Sequence, residues 1–423
     1  MNGMRVLFTR CCFTVLLLAT MPRAVMAAGL PETLQKRLDE GDLKGAAKVV
    51  SEQLEISPED GQARFAAGVV KVLQAVEGLA QDQYRHGAMS EAARMVPVFR
   101  LPLPENDRPV EITYAQMREI VEEFQQRLIE AEAELAKVDV SKEVKLTLNL
   151  SKIRLDLTGD GKATADETFL SVFGAVNRFR PGQQDLNITF DSGDVPWLRG
   201  YCHFLCGFCD VILAYDHQEL FDVCGQLVYP KHVPSKEVLT AFNQTKRHSE
   251  QWILDLIAAI HLMDFPLKEP ERMQSARGHF LEMIRTSRES WKLILAETDD
   301  DHEWLPAPGQ KGALSVPVTR QQIDGWHGVL AEMEDLLEGR KLVPFWRDHF
   351  RVFSPEPQIP TEGRGVNLKK FFDEPADFDL VLMMQGSAMI PYLEEGPLST
   401  PETWSNLQGV FGGRFFGFAM WFN

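Results

Sequence analysis

Along the first stretch of the chain, apolar residues return every three or four positions. Leu34, Leu38, Leu43, Ala46, Ala47, Val50 and Leu54 do so, which is the spacing of two amphipathic helices. Gly41-Asp42 breaks them, Ser57-Pro58-Glu59-Asp60 supplies a stop and a new start, and a third helix is predicted from Gln62 to Tyr84. Pro97, Pro102, Pro104 and Pro109 mark a linker or extended crossover over 97–112. Met117 to Val138 then reads as a charged amphipathic helix with Ile120, Val121, Phe124, Leu128, Ile129 and Leu135 as its apolar residues.

The period then changes from three-and-a-half to two. Val144, Leu146, Leu148 and Leu150 alternate with polar residues, and after Ser151-Lys152 so do Ile153, Leu155 and Leu157. Alternation predicts strand, and Asn187 to Phe190 is a second short strand and a candidate partner. Helices resume with one from about Pro196 to Ala214, capped by Asp194. Others fit 217–227, 235–264, 270–296 and 319–338, and the Pro- and Gly-rich segment 354–366 is expected to be loop. Apolar bursts follow at Phe378 to Met384, Ile390 to Leu393 and Val410 to Phe422. The last is too short to cross a bilayer as a helix, which takes about 20 residues, and is expected to insert into the core.

The predicted fold is therefore mainly α: a helical array with a minor β element near 144–157 and 187–190. Four regions are expected: a signal peptide at 1–28, a helical hairpin region at 29–96, a main helical domain at 97–352 and a mixed Gly/aromatic C-terminal region at 353–423 packed on the core. Residues 31–80 resemble one tetratricopeptide repeat, with Gly41, Ala46, Leu54 and Pro58 near its small, apolar and proline positions. The likeness covers a single repeat, and a generic helical hairpin is the other reading.

The first 28 residues read as a secretory signal. Arg5 and Arg10 precede a short apolar run from Cys11 to Ala19, and Val25-Met26-Ala27 offers a cleavage site near Ala27/Ala28. Export, periplasmic or secreted, is the expected localisation. No membrane span is expected in the mature chain, because no later stretch reaches 18 apolar residues.

The net charge of the chain is −17, and its first 28 residues hold three arginines and no acids, so the remainder carries −20. Such a balance argues against nucleic-acid binding, which requires a basic surface against phosphate. It also argues against adhesion to anionic lipid, and favours attraction of cations.

Asp156-Leu157-Thr158-Gly159-Asp160-Gly161-Lys162-Ala163-Thr164-Ala165-Asp166-Glu167 carries the strongest chemical signal. It resembles the 12-residue EF-hand calcium loop, which gathers oxygens from positions 1, 3, 5, 7, 9 and 12. The resemblance implies Ca²⁺ held by Asp156, Thr158, Asp160, the Lys162 carbonyl, Thr164 and Glu167, with Gly161 at the sharp turn. Thr158 stands where Asp or Asn is usual, which implies weak binding, with a dissociation constant of roughly 10⁻⁴ to 10⁻³ M. The other reading is a loop of the same shape that binds no metal, held by Asp156 and Asp160 bonding to backbone amides. The incoming segment alternates like a strand while the outgoing one, Thr168 to Phe179, is helical. A strand on one side suits a structural staple better than a sensor, which works by changing the angle between two helices.

Cys202, Cys206 and Cys209 share one helical face, with Cys224 farther along. Burial as small core residues, a disulfide from Cys224 to one of the three, and a metal site that includes His203 are the open readings. No phosphate-binding glycine loop, H-E-x-x-H or G-x-S-x-G is present. His217, and His302 after Asp299-Asp300-Asp301, are expected at the surface, and the eight tryptophans mostly in the core. The expected function is an exported calcium-binding scaffold that interacts with another exported or envelope protein. The alternative is an exported enzyme, such as a hydrolase, with a site assembled from distant residues.

Overall fold

Caps and breaks set the helical order of the computed structural model, which describes residues 29–88, 100–177, 186–234, 257–312, 318–349 and 359–422. Helices α1 (Leu30–Asp39), α2 (Leu43–Ile56) and α3 (Gly61–Arg85) open the chain. Asp42 caps α2 by accepting the Gly45 N–H at 2.8 Å, and Asp60 caps α3 through the Ala63 N–H at 3.0 Å. Each such cap is worth about 1 kcal/mol. Leu34, Leu38, Ala46 and Val50 all face inward, as their spacing predicts.

Thr113 and Gln116 form a reciprocal capping box at the start of α4 (Tyr114–Leu135). Its predicted stripe is buried at Ile120, Val121, Phe124, Leu128 and Leu135, whereas Ile129 is exposed. Strands β1 (Lys145–Asn149) and β2 (Asn187–Asp191) flank the short helix α5 (Phe169–Asn177) and pair antiparallel, with Leu146 opposite Phe190 and Leu148 opposite Ile188. The alternation holds there: Val144, Leu146, Leu148 and Leu150 are buried on one side of the ribbon. Beyond Leu150 the strand ends in a turn, and Ile153 to Leu157 make only an isolated bridge, Arg154 with Thr168.

Helix α6 (Asp194–Ala214) differs from its expected start. Gly193 holds the N-cap position without a side-chain bond, and Asp194 instead accepts the Asp191 N–H at 2.9 Å. Then come α7 (Gln218–Cys224), β3 (Asp264–Phe265), α8 (Pro270–Ile294) and α9 (Arg320–Leu337), the last again with a capping box, Thr319 with Gln322. The helix expected over 235–264 falls, up to 256, outside the described residues, as does the signal at 1–28.

The C-terminal part adds β4 (Val343–Pro344), β5 (Glu362–Val366), α10 (Leu368–Asp373), β6 (Phe378–Asp379), α11 (Leu380–Gln385), β7 (Leu393–Pro397), α12 (Pro401–Gly409) and α13 (Phe415–Phe422). β5 corrects the expected loop at 354–366 over Glu362–Val366, and 354–358 lie outside the described residues. Glu362-Gly363-Arg364-Gly365-Val366 has no apolar alternation, and pairing with β4 and β7 on its two sides makes it a strand.

The helices pack in succession: α1 on α2, α2 on α3, α3 on α4, α4 on α6, α6 on α8, and α8 on α9 and α10. One core runs through this array. Phe422 closes it, fully buried with its ring centroid 4.8 Å from Trp291 and 6.3 Å from Trp326. Among the described residues no helix is long and apolar enough to cross a membrane.

Candidate functional site

The Asp156–Glu167 loop is shut at its base by backbone pairing. Leu155 N–H donates to the Glu167 carbonyl and Phe169 N–H to the Ile153 carbonyl, both at 2.9 Å. Leu155 and Leu157 are fully buried beneath it, which aims Asp156 outward. Gly159 and Gly161 have φ of +74° and +82°, the left-handed region that glycine enters without strain.

The acidic residues bind the loop's own amides. Asp156 accepts the N–H groups of Gly159 at 2.8 Å and Asp160 at 3.2 Å through Oδ1, and of Gly161 at 2.9 Å through Oδ2. Asp160 Oδ1 accepts the Lys162 N–H at 2.8 Å. Glu167 is buried, with Oε1 accepting the Leu157 N–H at 3.1 Å and Oε2 the Thr164 N–H at 2.9 Å. Thr158 is half-buried, and Lys162 and Thr164 are exposed. The bonds made by Asp156 and Asp160 are those that the metal-free reading of the loop expects.

The donor set suits calcium in kind, since a carboxylate offers about four lone-pair sites and these amide bonds leave some open on each acid. The three acids do not converge into one tight set. Among the described residues, one group of three acidic, His or Cys side chains brings its ligand atoms within 4.8 Å of one another, and that group is Asp191, Glu297 and Glu303.

The loop is fastened to the N-terminal helices. Gln81 Nε2 on α3 donates to the Asp156 carbonyl at 2.8 Å, and Glu77 Oε2 on α3 accepts the Asp156 N–H at 2.8 Å. Arg154 N–H donates to the Leu38 carbonyl at 2.9 Å, and Gly41 lies so close to Ala163 that an added Cβ would collide with it. Burial pushes the Glu77 carboxyl up to about 7, and the nearby charges of Asp156 and Glu167 push the same way.

The Asp191–Glu297–Glu303 group was not legible in the sequence, although Glu297 and Glu303 bracket the acidic run 299–301. Asp191 ends β2 and accepts the Gly193 N–H at 2.7 Å; Glu303 accepts the Asp301 N–H at 2.9 Å. Glu297 Oε1 is buried without a hydrogen-bond donor. Burial first and the neighbouring Asp191 second push Glu297 up to about 9, so Glu297 keeps a proton that it can place against Asp191. Lys145 pairs instead with Asp299, at 3.1 Å, and with Asp301. Beside Glu297 an open cleft of about 510 Å³ runs past Leu295, Asp299, Pro308, Gln310 and Arg320.

All four cysteines are buried, and Cys202, Cys206 and Cys209 are free thiols, so the reading of a disulfide from Cys224 to one of the three is corrected. Burial pushes Cys202 and Cys209 up to about 12, which keeps them protonated and inert. His302 is exposed as expected. His217 is not: its ring lies half-buried on Phe265, with centroids 4.2 Å apart. No family model, no curated protein and no solved structure matches the chain.

Proposed function

We propose that this chain is an exported helical scaffold that engages another exported or envelope protein, and that calcium in the Asp156–Glu167 loop fastens its N-terminal hairpin to the main helical body. What supports this reading is the position of the loop. It bonds to α3 through Gln81 and Glu77 and abuts the α1–α2 turn at Gly41, while Arg154, two residues ahead of it, bonds to the end of α1 through the Leu38 carbonyl. A cation there would offset the negative charge that Glu77, Asp156 and Glu167 bring together. Asp156, Asp160 and Glu167 would hold it, with the Lys162 carbonyl and the Thr158 and Thr164 oxygens. Its chemistry would be charge neutralisation in a structural role.

A second reading places the cation at Asp191, Glu297 and Glu303, because those carboxyl groups are the ones already within 4.8 Å of one another. Calorimetric titration of calcium into the wild type, Asp160→Asn and Glu297→Gln separates the two. Loss of binding in Asp160→Asn alone supports the loop, and loss in Glu297→Gln alone supports the triad. No saturable binding in the wild type up to about 5 mM removes both, since even the weakest extracellular calcium modules bind at roughly 10⁻³ M.

A further inference from the structure

Where α4, α6 and α8 meet, a line of ionisable groups interrupts the apolar packing. His203 on α6 and His279 on α8 face each other with their Nδ1 atoms 3.0 Å apart. His203 Nε2 lies 3.5 Å from Glu132 Oε1 on α4, and His279 Nε2 lies 3.7 Å from Asp210 Oδ2 on α6. Glu132 Oε1 also accepts Arg199 Nε at 2.9 Å. Asp210 is 2 % exposed, and its Oδ1 takes Gln125 Nε2 at 2.7 Å and Arg272 at 3.1 Å. Its Oδ2, facing His279, is buried with no other partner.

These contacts fix a proton count. Two ring nitrogens at hydrogen-bonding distance need one proton between them, because one must donate and the other accept. Each Nε2 faces a carboxylate oxygen, at 3.5 and 3.7 Å, and that negative charge favours a proton on the nitrogen over a lone pair. Three protons on four nitrogens make one imidazolium and one neutral ring. A fourth proton would set two N–H groups head to head and place two cations in contact. Loss of the third would set a ring lone pair against a carboxylate oxygen or against the other ring.

We propose that His203 and His279 form a proton-dependent latch between α6 and α8, closed by one shared proton and opened by a second in mildly acidic medium. The groups that face it are Glu132 from α4, Arg199 and Asp210 from α6, and Arg272 and Glu282 from α8. The thiols of Cys202, Cys206 and Cys209 are also near these acids, and burial keeps them neutral. The His279 ring is held below its ordinary 6.5 by burial first and by His203 second; Asp210, Glu132 and Glu282 pull the other way without prevailing. A lowered histidine contributes stability that is complete above about 6.5 and is lost as pH falls through the lowered value.

The test combines two measurements on the full chain. Two-bond ¹H–¹⁵N spectra of the imidazoles in the wild type should show a neutral Nε2–H ring at His279 at pH 7 and a shared Nδ1 proton. Hydrogen exchange should show protection along α6 and α8 falling between pH 7 and pH 5, with the fall abolished in His279→Gln and in His203→Gln. Two rings that titrate independently near their ordinary value would overturn the latch, as would an unchanged acid response in both variants. Saturable Zn²⁺ binding that requires both rings would also overturn it, in favour of a metal site.

Discussion

Glu77 on α3 accepts the backbone N–H of Asp156 at 2.8 Å, so a helix of the N-terminal hairpin holds the first residue of the acidic loop. Placing a carboxylate there has an electrostatic cost, which the bond itself only partly offsets. Glu77 is pushed up to about 7 by burial, helped by Asp156 and Glu167. A carboxyl raised in the fold contributes stability that is full at low pH and is lost as pH climbs from about 4.5 through 7. Glu77→Gln, which keeps an acceptor oxygen without the charge, should therefore match the wild type near pH 4 and melt higher near pH 8. Melting temperatures across that range check it, and a gain independent of pH would exclude the charge as its cause.

Gly161 and Gly41 test two different demands on glycine. Both have positive φ, +82° and +71°, but a Cβ at Gly161 meets nothing within 4 Å whereas one at Gly41 runs into Ala163. Gly161→Ala should cost about 1 kcal/mol from backbone strain alone. Gly41→Ala should cost about 1 kcal/mol more, since the loop must also move off the α1–α2 turn. Midpoints of urea unfolding compare them directly, and equal losses would contradict the close contact.

Phe422 packs between Trp291 and Trp326 with no exposed surface, and its carbonyl accepts the Ser287 hydroxyl at 3.4 Å. Phe422→Ala should destabilise the fold by about 3 to 5 kcal/mol through the cavity left between the two indoles. Urea unfolding followed by tryptophan fluorescence measures the loss, and a change under about 1 kcal/mol would mean that the chain end is not part of the core.

The helical array was legible because Leu34, Leu38, Ala46 and Val50, or Phe124 and Leu128, each repeat locally at the helical period and each face the core. The β1–β2 ribbon was legible for the same local reason, at period two. Asp194 was misread because an acid before a helix is ordinarily its cap, while here the turn at Asp191 claims it. β5 gave no signal, since its glycines and charges become a strand only when β4 and β7 flank them. Asp156 to Glu167 is contiguous, so its pattern could be read directly. Asp191 at the end of β2 meets Glu297, just past α8, and His203 on α6 meets His279 on α8, only once these distant segments have come together. No local spacing announces such pairs.

Thermal melting of the full chain at pH 7 with about 2 mM calcium or with chelator, in the wild type and Asp160→Asn, tests the central proposal most directly. Asp160 suits the purpose because it is exposed and its Oδ1 accepts the Lys162 N–H, so its change should spare the closure at Glu167. At a dissociation constant of roughly 10⁻⁴ to 10⁻³ M, calcium should stabilise the fold by about 0.7 to 1.8 kcal/mol. For a chain of this size that is a rise of about 1 to 2 °C in Tm. The account predicts that rise in the wild type and none in Asp160→Asn. No rise in the wild type, or an equal rise in both, would contradict a calcium staple at this loop.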